Sequence, residues 1–124
     1  MILADTSVWV DHLRSGDPTL ATLLDLNQVM IHPWVIGELA LDHLSQRGEV
    51  MGLLAHLPQA TVATATEVLT LIESDQLHGT GIGYVDAQLL AATRLTPGTR
   101  LWTRDRRLSA AAERLGCAAD PPAE

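Results

Sequence analysis

The sequence predicts an α/β fold, a short central parallel sheet flanked by helices on both faces, and three observations carry that prediction. The candidate strands, at residues 2–4, 29–31 and 101–102, are short apolar runs without polar alternation, the pattern of strands covered on both sides. Between them the apolar residues recur at three- and four-residue spacing, the period of helices. The chain of 124 residues is 47% hydrophobic and 19% charged, enough apolar material for one domain with its own core. That domain is expected over 1–119, with Asp120 to Glu124 as a frayed, proline-containing tail.

The elements follow in order. Asp5, Thr6 and Ser7 are cap-type residues between the first strand and the helical run Val8, Trp9, Val10 and Leu13. The turn Gly16-Asp17-Pro18 closes that helix and puts Pro18 at the start of the next, which carries Leu20, Leu23, Leu24 and Leu26. After the strand Val29 to Ile31, the spacing of Val35, Ile36, Leu39, Ala40 and Leu44, then of Val50, Leu53, Leu54 and Leu57 beyond Gly48, predicts an αα-hairpin. Ala60 to Val62 is expected as a short strand and Val68 to Ile72 as part of a helix, with a loop at Gly79, Gly81 and Gly83. A helix from Val85 through Leu95 ends at Pro97 and Gly98. Leu101 and Trp102 form a strand, Leu108 to Leu115 a last helix stopped by Gly116, and Cys117 and Ala118 a final short strand.

What is missing excludes several functions. All eight basic residues are arginine, so a P-loop, a Schiff-base enzyme, a kinase and a phospho-receiver domain each lack their lysine. A lone cysteine, Cys117, allows no internal disulfide and no CxxC zinc spacing. No basic leader precedes Asp5 and no apolar run nears the roughly 18 residues of a membrane span, so a cytoplasmic protein with no membrane contact is expected. The net charge of −7 opposes nucleic-acid binding, but Arg94, Arg100, Arg104, Arg106 and Arg107 are concentrated in one stretch and offer a basic edge.

In open parallel sheets the working site lies beyond the carboxyl ends of the strands. Asp5 and Asp105 follow two of those ends, Asp86 begins a helix after the glycine loop, and Glu38 sits in the helix after the second strand. Singly, Asp5 and Asp105 read as helix N-caps, Asp86 as a complement to the helix dipole and Glu38 as a solvated side chain. Together they would repel unless a hard divalent cation such as Mg²⁺ or Mn²⁺ neutralised them. Such a centre activates water and orients a phosphodiester for in-line displacement. Thr6, Ser7 and Thr103 have hydroxyls suited to orienting the aspartates or to capping. Arg100, Arg104 and Arg107 are the candidate RNA contacts, or else a solvated ion-paired face. Trp9, Trp34 and Trp102 either stack bases or anchor a core that has no phenylalanine.

Other motifs carry less. The segment Gly79 to Gly83 lacks the GxGxxG spacing and follows a helix, which marks a connector. The histidines at 12, 32, 43, 56 and 78 form no zinc pair, and no serine lies in a GxSxG elbow.

The segments ILADTSVWVDHL, VIGELA, GTGIGYVDAQLLAA and LWTRDRRL, in that order, resemble the PIN-domain ribonucleases, and among them the VapC-type toxins of bacterial toxin–antitoxin pairs. The resemblance spans nearly the whole chain, and its acidic positions fall on Asp5, Glu38, Asp86 and Asp105. It implies a Mg²⁺- or Mn²⁺-dependent endoribonuclease that cuts structured RNA, commonly a tRNA or ribosomal RNA loop, and blocks translation. It also implies a homodimer and a VapB-like antitoxin, for which the helices around Leu39 to Leu44 and Val50 to Leu57 offer surfaces. Two alternatives stand beside it. A haloacid-dehalogenase-like phosphatase needs an aspartate where Ser7 stands and a lysine that is absent, and an idle PIN-like binding module has no need of four intact acids.

Overall fold

A computed structural model describes residues 1–120. The expected tail, apart from Asp120 itself, lies outside the described residues. The elements run β1 (Ile2–Ala4), α1 (Thr6–Ser15), α2 (Pro18–Asp25), β2 (Val29–Met30), α3 (Pro33–Ala40), α4 (Arg47–His56), α5 (Ala65–Ser74), α6 (Tyr84–Leu95), β3 (Arg100–Trp102) and α7 (Arg106–Arg114). The sheet has the order β2-β1-β3 and is parallel throughout, with Leu3 opposite Met30 on one side and Leu101 on the other. Because all three strands point one way, the residues that leave their carboxyl ends emerge side by side.

Burial explains the apolar strands. Leu3, Ala4, Val29, Ile31 and Leu101 are all in the core, so neither face of the sheet needs polar residues. Helices α1, α3 and α4 pack in sequence on one another, while α5 packs on α6, which lies against β3. Helix α6 is buried from Ala87 through Thr93, which accounts for its small residues and anchors the first turn, where Asp86 sits. Among the described residues, no helix is long and apolar enough to cross a membrane.

Three expectations need correction. Helix α3 ends at Ala40 rather than reaching Leu44, because the Arg47 guanidinium donates to the carbonyls of Ala40 and Asp42 and so satisfies the helix end; Leu41 is left 88% exposed. Ala60 to Val62 is no strand: Gln59 alone makes a parallel bridge, to Ile31, through Ile31 N–H to Pro58 O and Ala60 N–H to Ile31 O. Beyond Ala60 the chain turns outward, with Val62 exposed. Cys117 and Ala118 likewise contribute a single bridge, from Ala118 to Leu101, on the outer side of β3.

One long-range tie fixes how β3 meets the first two helices. Asp17 caps α2 by accepting from the Leu20 N–H at 2.9 Å, and it is buried. The Arg104 guanidinium donates to Asp17, pairs with Asp11 at 2.8 Å and lies over the Trp102 ring, 5.6 Å from its centroid. Burial opposes the charge on Asp17, but the Leu20 N–H and the charge and hydrogen bond of Arg104 outweigh it and hold the carboxyl below its ordinary value of 3.8.

A depressed carboxyl stabilises the fold above its unfolded value and loses that contribution as pH falls through the folded one. Arg104→Ala should therefore cost about 1–2 kcal/mol at neutral pH, a melting point lower by roughly 3–8 °C. Thermal melts should show the gap between variant and wild type narrowing below pH 3.8. A gap that is constant down to acid would assign the loss to packing alone.

Candidate active site

The site begins with the peptide that leaves β1. Asp5 is extended, its N–H donates to Trp102 O at 3.0 Å, and its side chain caps α1 by accepting from the Ser7 N–H at 2.7 Å. The same carboxylate accepts the Ser7 hydroxyl on Oδ1 and the Thr103 hydroxyl on Oδ2, the latter at 2.6 Å. Asp5 is 5% exposed. With three donors on about four acceptor positions, the buried charge is paid for and one direction remains open.

The two hydroxyls also receive hydrogen bonds. Ser7 Oγ accepts the Arg104 N–H at 3.0 Å, and Thr103 Oγ1 accepts the Asp105 N–H at 3.0 Å. Ser7 and Thr103 thus link the exits of β1 and β3 through Asp5, and Thr103 sets the peptide that carries Asp105. Asp105 in turn caps α7 through Leu108 N–H to Oδ1, at 2.9 Å.

Glu38 and Asp86 come from helices. Glu38, exposed on α3, accepts the Thr6 hydroxyl on Oε1 at 2.6 Å. Asp86, half-buried in the first turn of α6, accepts the Gly83 N–H on Oδ2 at 3.0 Å. Its carboxyl is pushed above 3.8, first by burial and then by the charges of Asp105, Asp5 and Glu38, against the lowering effect of the Gly83 hydrogen bond. Asp86 is therefore within electrostatic reach of the other three acids.

Their oxygens divide in a consistent way. Glu38 Oε1, Asp86 Oδ2 and Asp105 Oδ1 are each fixed by a donor, and the second oxygen of each side chain has no hydrogen-bond partner among the described residues. Among the described residues no group of three or more His, Cys, Asp or Glu side chains is placed to hold a metal ion. The open carboxylate oxygens are hard donors of the kind Mg²⁺ takes, usually through one or two carboxylates and several waters. Zinc sites are built mainly on Cys and His, with carboxylates as additional ligands, and no Cys or His stands among these four side chains.

The three candidate RNA-contacting arginines differ in placement. Arg104 has its charge answered by Asp11 and Asp17. Arg100 begins β3, at the opposite end of the strand from Thr103, and donates to Gly116 O at 3.2 Å. Arg107, in the first turn of α7, is exposed and lies on the glycine loop: a Cβ at Gly81 would meet its Cδ and Nη1 at 2.8 Å, and Gly81 has φ +89°. The partners of Arg104 were missed in the sequence, where Asp17 reads as a turn residue and Asp11 carries no signal of its own. Trp9 is core and Trp102 lies under Arg104, but Trp34 is partly exposed.

No family model matches the chain. Ribonuclease VapC32 of Mycobacterium tuberculosis, from strains CDC 1551 / Oshkosh and ATCC 25618 / H37Rv, is 51% identical over 118 residues, 95% of each chain. A crystal structure of FitAcB from Neisseria gonorrhoeae shares the fold, with a TM-score of 0.63 over 91% of this chain and 94% of that one at 22% identity.

The strain on Asp86 has a measurable sign. A carboxyl raised on folding lowers stability once pH exceeds its unfolded value, so removing its charge relieves the fold at neutral pH. Asp86→Asn keeps an oxygen for the Gly83 N–H, and in EDTA it should melt about 2–5 °C above wild type at pH 7. The gain should vanish below pH 3.8. Equal melting points at pH 7 would mean that neither burial nor the neighbouring acids strain the Asp86 charge.

Proposed function

The chain belongs to the VapC family of PIN-domain ribonucleases, the toxins of toxin–antitoxin pairs, and from that premise we propose that it is a Mg²⁺- or Mn²⁺-dependent endoribonuclease. Its substrate is structured RNA, a tRNA or ribosomal RNA loop, and its cleavage halts translation in the cytoplasm until a VapB-like antitoxin covers the site. The observation that supports this reading is a set of four carboxylates, three of them with one oxygen fixed and one oxygen open, in which Asp86 feels the charges of the other three.

Asp5, Glu38, Asp86 and Asp105 would hold the ion. When bound, it supplies Lewis acidity to a phosphodiester and lowers the pKa of water so that hydroxide is available at neutral pH. The protein's own share is positioning. Ser7 and Thr103 orient the Asp5 carboxylate, and the Thr6 hydroxyl fixes one oxygen of Glu38. The carboxyl of Asp86 is raised first by burial and then by the charges of Asp105, Asp5 and Glu38, and a dication would relieve the part that repulsion adds.

Arg107 supplies the positive charge that an RNA strand needs beside an acidic centre. It is exposed, and it rests on the loop whose Gly83 N–H fixes Asp86. The antitoxin and a second copy of the chain are assigned to the α3–α4 region, where Leu41 and Leu53 stand 88% and 65% exposed.

Purified protein given total cellular RNA should yield discrete fragments with Mg²⁺ or Mn²⁺ and none with EDTA or with Asp5→Asn. Fragments that persist in EDTA, or in a folded Asp5→Asn protein, would defeat the proposal. Arg107→Ala should weaken RNA binding and flatten the slope of log affinity against log salt by about 0.7, the value of one phosphate contact on a single strand. Gly81→Ala, whose Cβ needs the space Arg107 fills, should flatten it likewise; unchanged slopes would put Arg107 outside the interface.

A further inference from the structure

Only four aromatic residues of the Phe, Trp and Tyr kind occur in the chain, three tryptophans and one tyrosine. Two of them, Trp34 and Tyr84, stand 37% and 44% exposed and touch each other, with ring centroids 5.8 Å apart and planes inclined at 45°. Large rings left in water forgo burial worth having, so their shared exposure asks for an occupant. Their position suggests its chemistry. Trp34 lies four residues before Glu38 on α3, hence on the same helix face, and Tyr84 opens α6 two residues before Asp86. Trp34 thus shares a face of α3 with Glu38, and Tyr84, in contact with it, opens the helix whose first turn carries Asp86.

Both rings are held from behind by buried polar side chains. His32 caps α3 by accepting the Trp34 N–H on Nδ1 at 3.0 Å, and its ring meets that of Trp34 edge-on. Burial lowers the His32 pKa and so favours the neutral imidazole that this acceptor role requires. Gln88, buried one turn into α6, donates Nε2 to the Tyr84 hydroxyl at 3.4 Å. The platform is built in and is no accident of a loose loop.

We infer that Trp34 and Tyr84 form a stacking platform for one unpaired nucleobase next to the phosphodiester that is cut. The inference rests on the ribonuclease reading and deepens it, naming an unpaired nucleotide as part of what the enzyme recognises. Single-stranded RNA is bound by stacking splayed bases on aromatic rings, and this is indifferent to the net charge of −7 that weakens phosphate-driven binding. Trp9, in the core, and Trp102, under Arg104, have no such opportunity.

The test is fluorescence titration of Asp5→Asn protein, in Mg²⁺, with a ten-nucleotide oligoadenylate and with an abasic ribose-phosphate strand of the same length. Oligoadenylate should quench tryptophan emission and the abasic strand should not. Adding Trp34→Ala should remove most of the quench, and Tyr84→Ala should weaken binding about tenfold, while Trp34→Phe and Tyr84→Phe should retain affinity and show that the fold tolerates change there. Equal quenching by the abasic strand, no quenching by either, or unaltered affinity in both alanine variants would overturn the platform. The two readings fail separately. Wild-type cleavage that needs metal and Asp5 but is unchanged in KM by Trp34→Ala removes the platform alone, whereas base-dependent quenching without any cleavage removes the ribonuclease alone.

Discussion

The buried carboxylate of Asp5 is the interaction on which the site and much of the sheet edge depend. It lies between the ends of two neighbouring parallel strands, and it is held there by a peptide N–H and two hydroxyls, one of them from across the sheet. Those same hydroxyls accept the N–H groups of Arg104 and Asp105, so the charge organises the backbone that surrounds it. An unpaired carboxylate at this depth would be costly. Here every donor that stabilises it also aligns a residue of the site, and folding and function draw on one set of bonds.

Charge is managed by separation. Of the acids near the first two helices, Asp11 and Asp17 take Arg104 for themselves, and the four at the strand ends are left with hydroxyl and peptide donors in place of cations. That is an odd arrangement for stability, as the raised carboxyl of Asp86 records. It is a sensible one for binding a dication, because an arginine inside the group would compete with the metal for the same oxygens. The buried stretch of α6 from Ala87 to Thr93 anchors the turn that carries Asp86.

Most of this was legible in the sequence because the strand-end signals are local. An apolar triplet followed by Asp-Thr-Ser, and Leu-Trp followed by Thr-Arg-Asp, announce a strand exit and a helix cap together. What escaped was decided by distant partners. The end of α3 depends on Arg47 reaching back to its carbonyls, which no apolar period reveals. Arg104 looks like its neighbours in sequence and differs from them because Asp17 and Asp11 happen to face it. Ala60 to Val62 has the composition of a strand, yet only Gln59 finds an edge to pair with. Tyr84 drew no notice, since its meaning lies in a contact with Trp34 fifty residues away.

The central claim is that the four acids act as one receptor for a divalent ion, and Mn²⁺ binding measured by calorimetry tests it without reference to any RNA. Wild-type protein should bind Mn²⁺ with an affinity that falls at least tenfold in Asp5→Asn and in Asp86→Asn, and falls as well in Thr103→Val, which keeps every carboxylate but frees Asp5 from β3. Mn²⁺ binding that is absent in wild type, or unchanged in all three folded variants, would contradict the account.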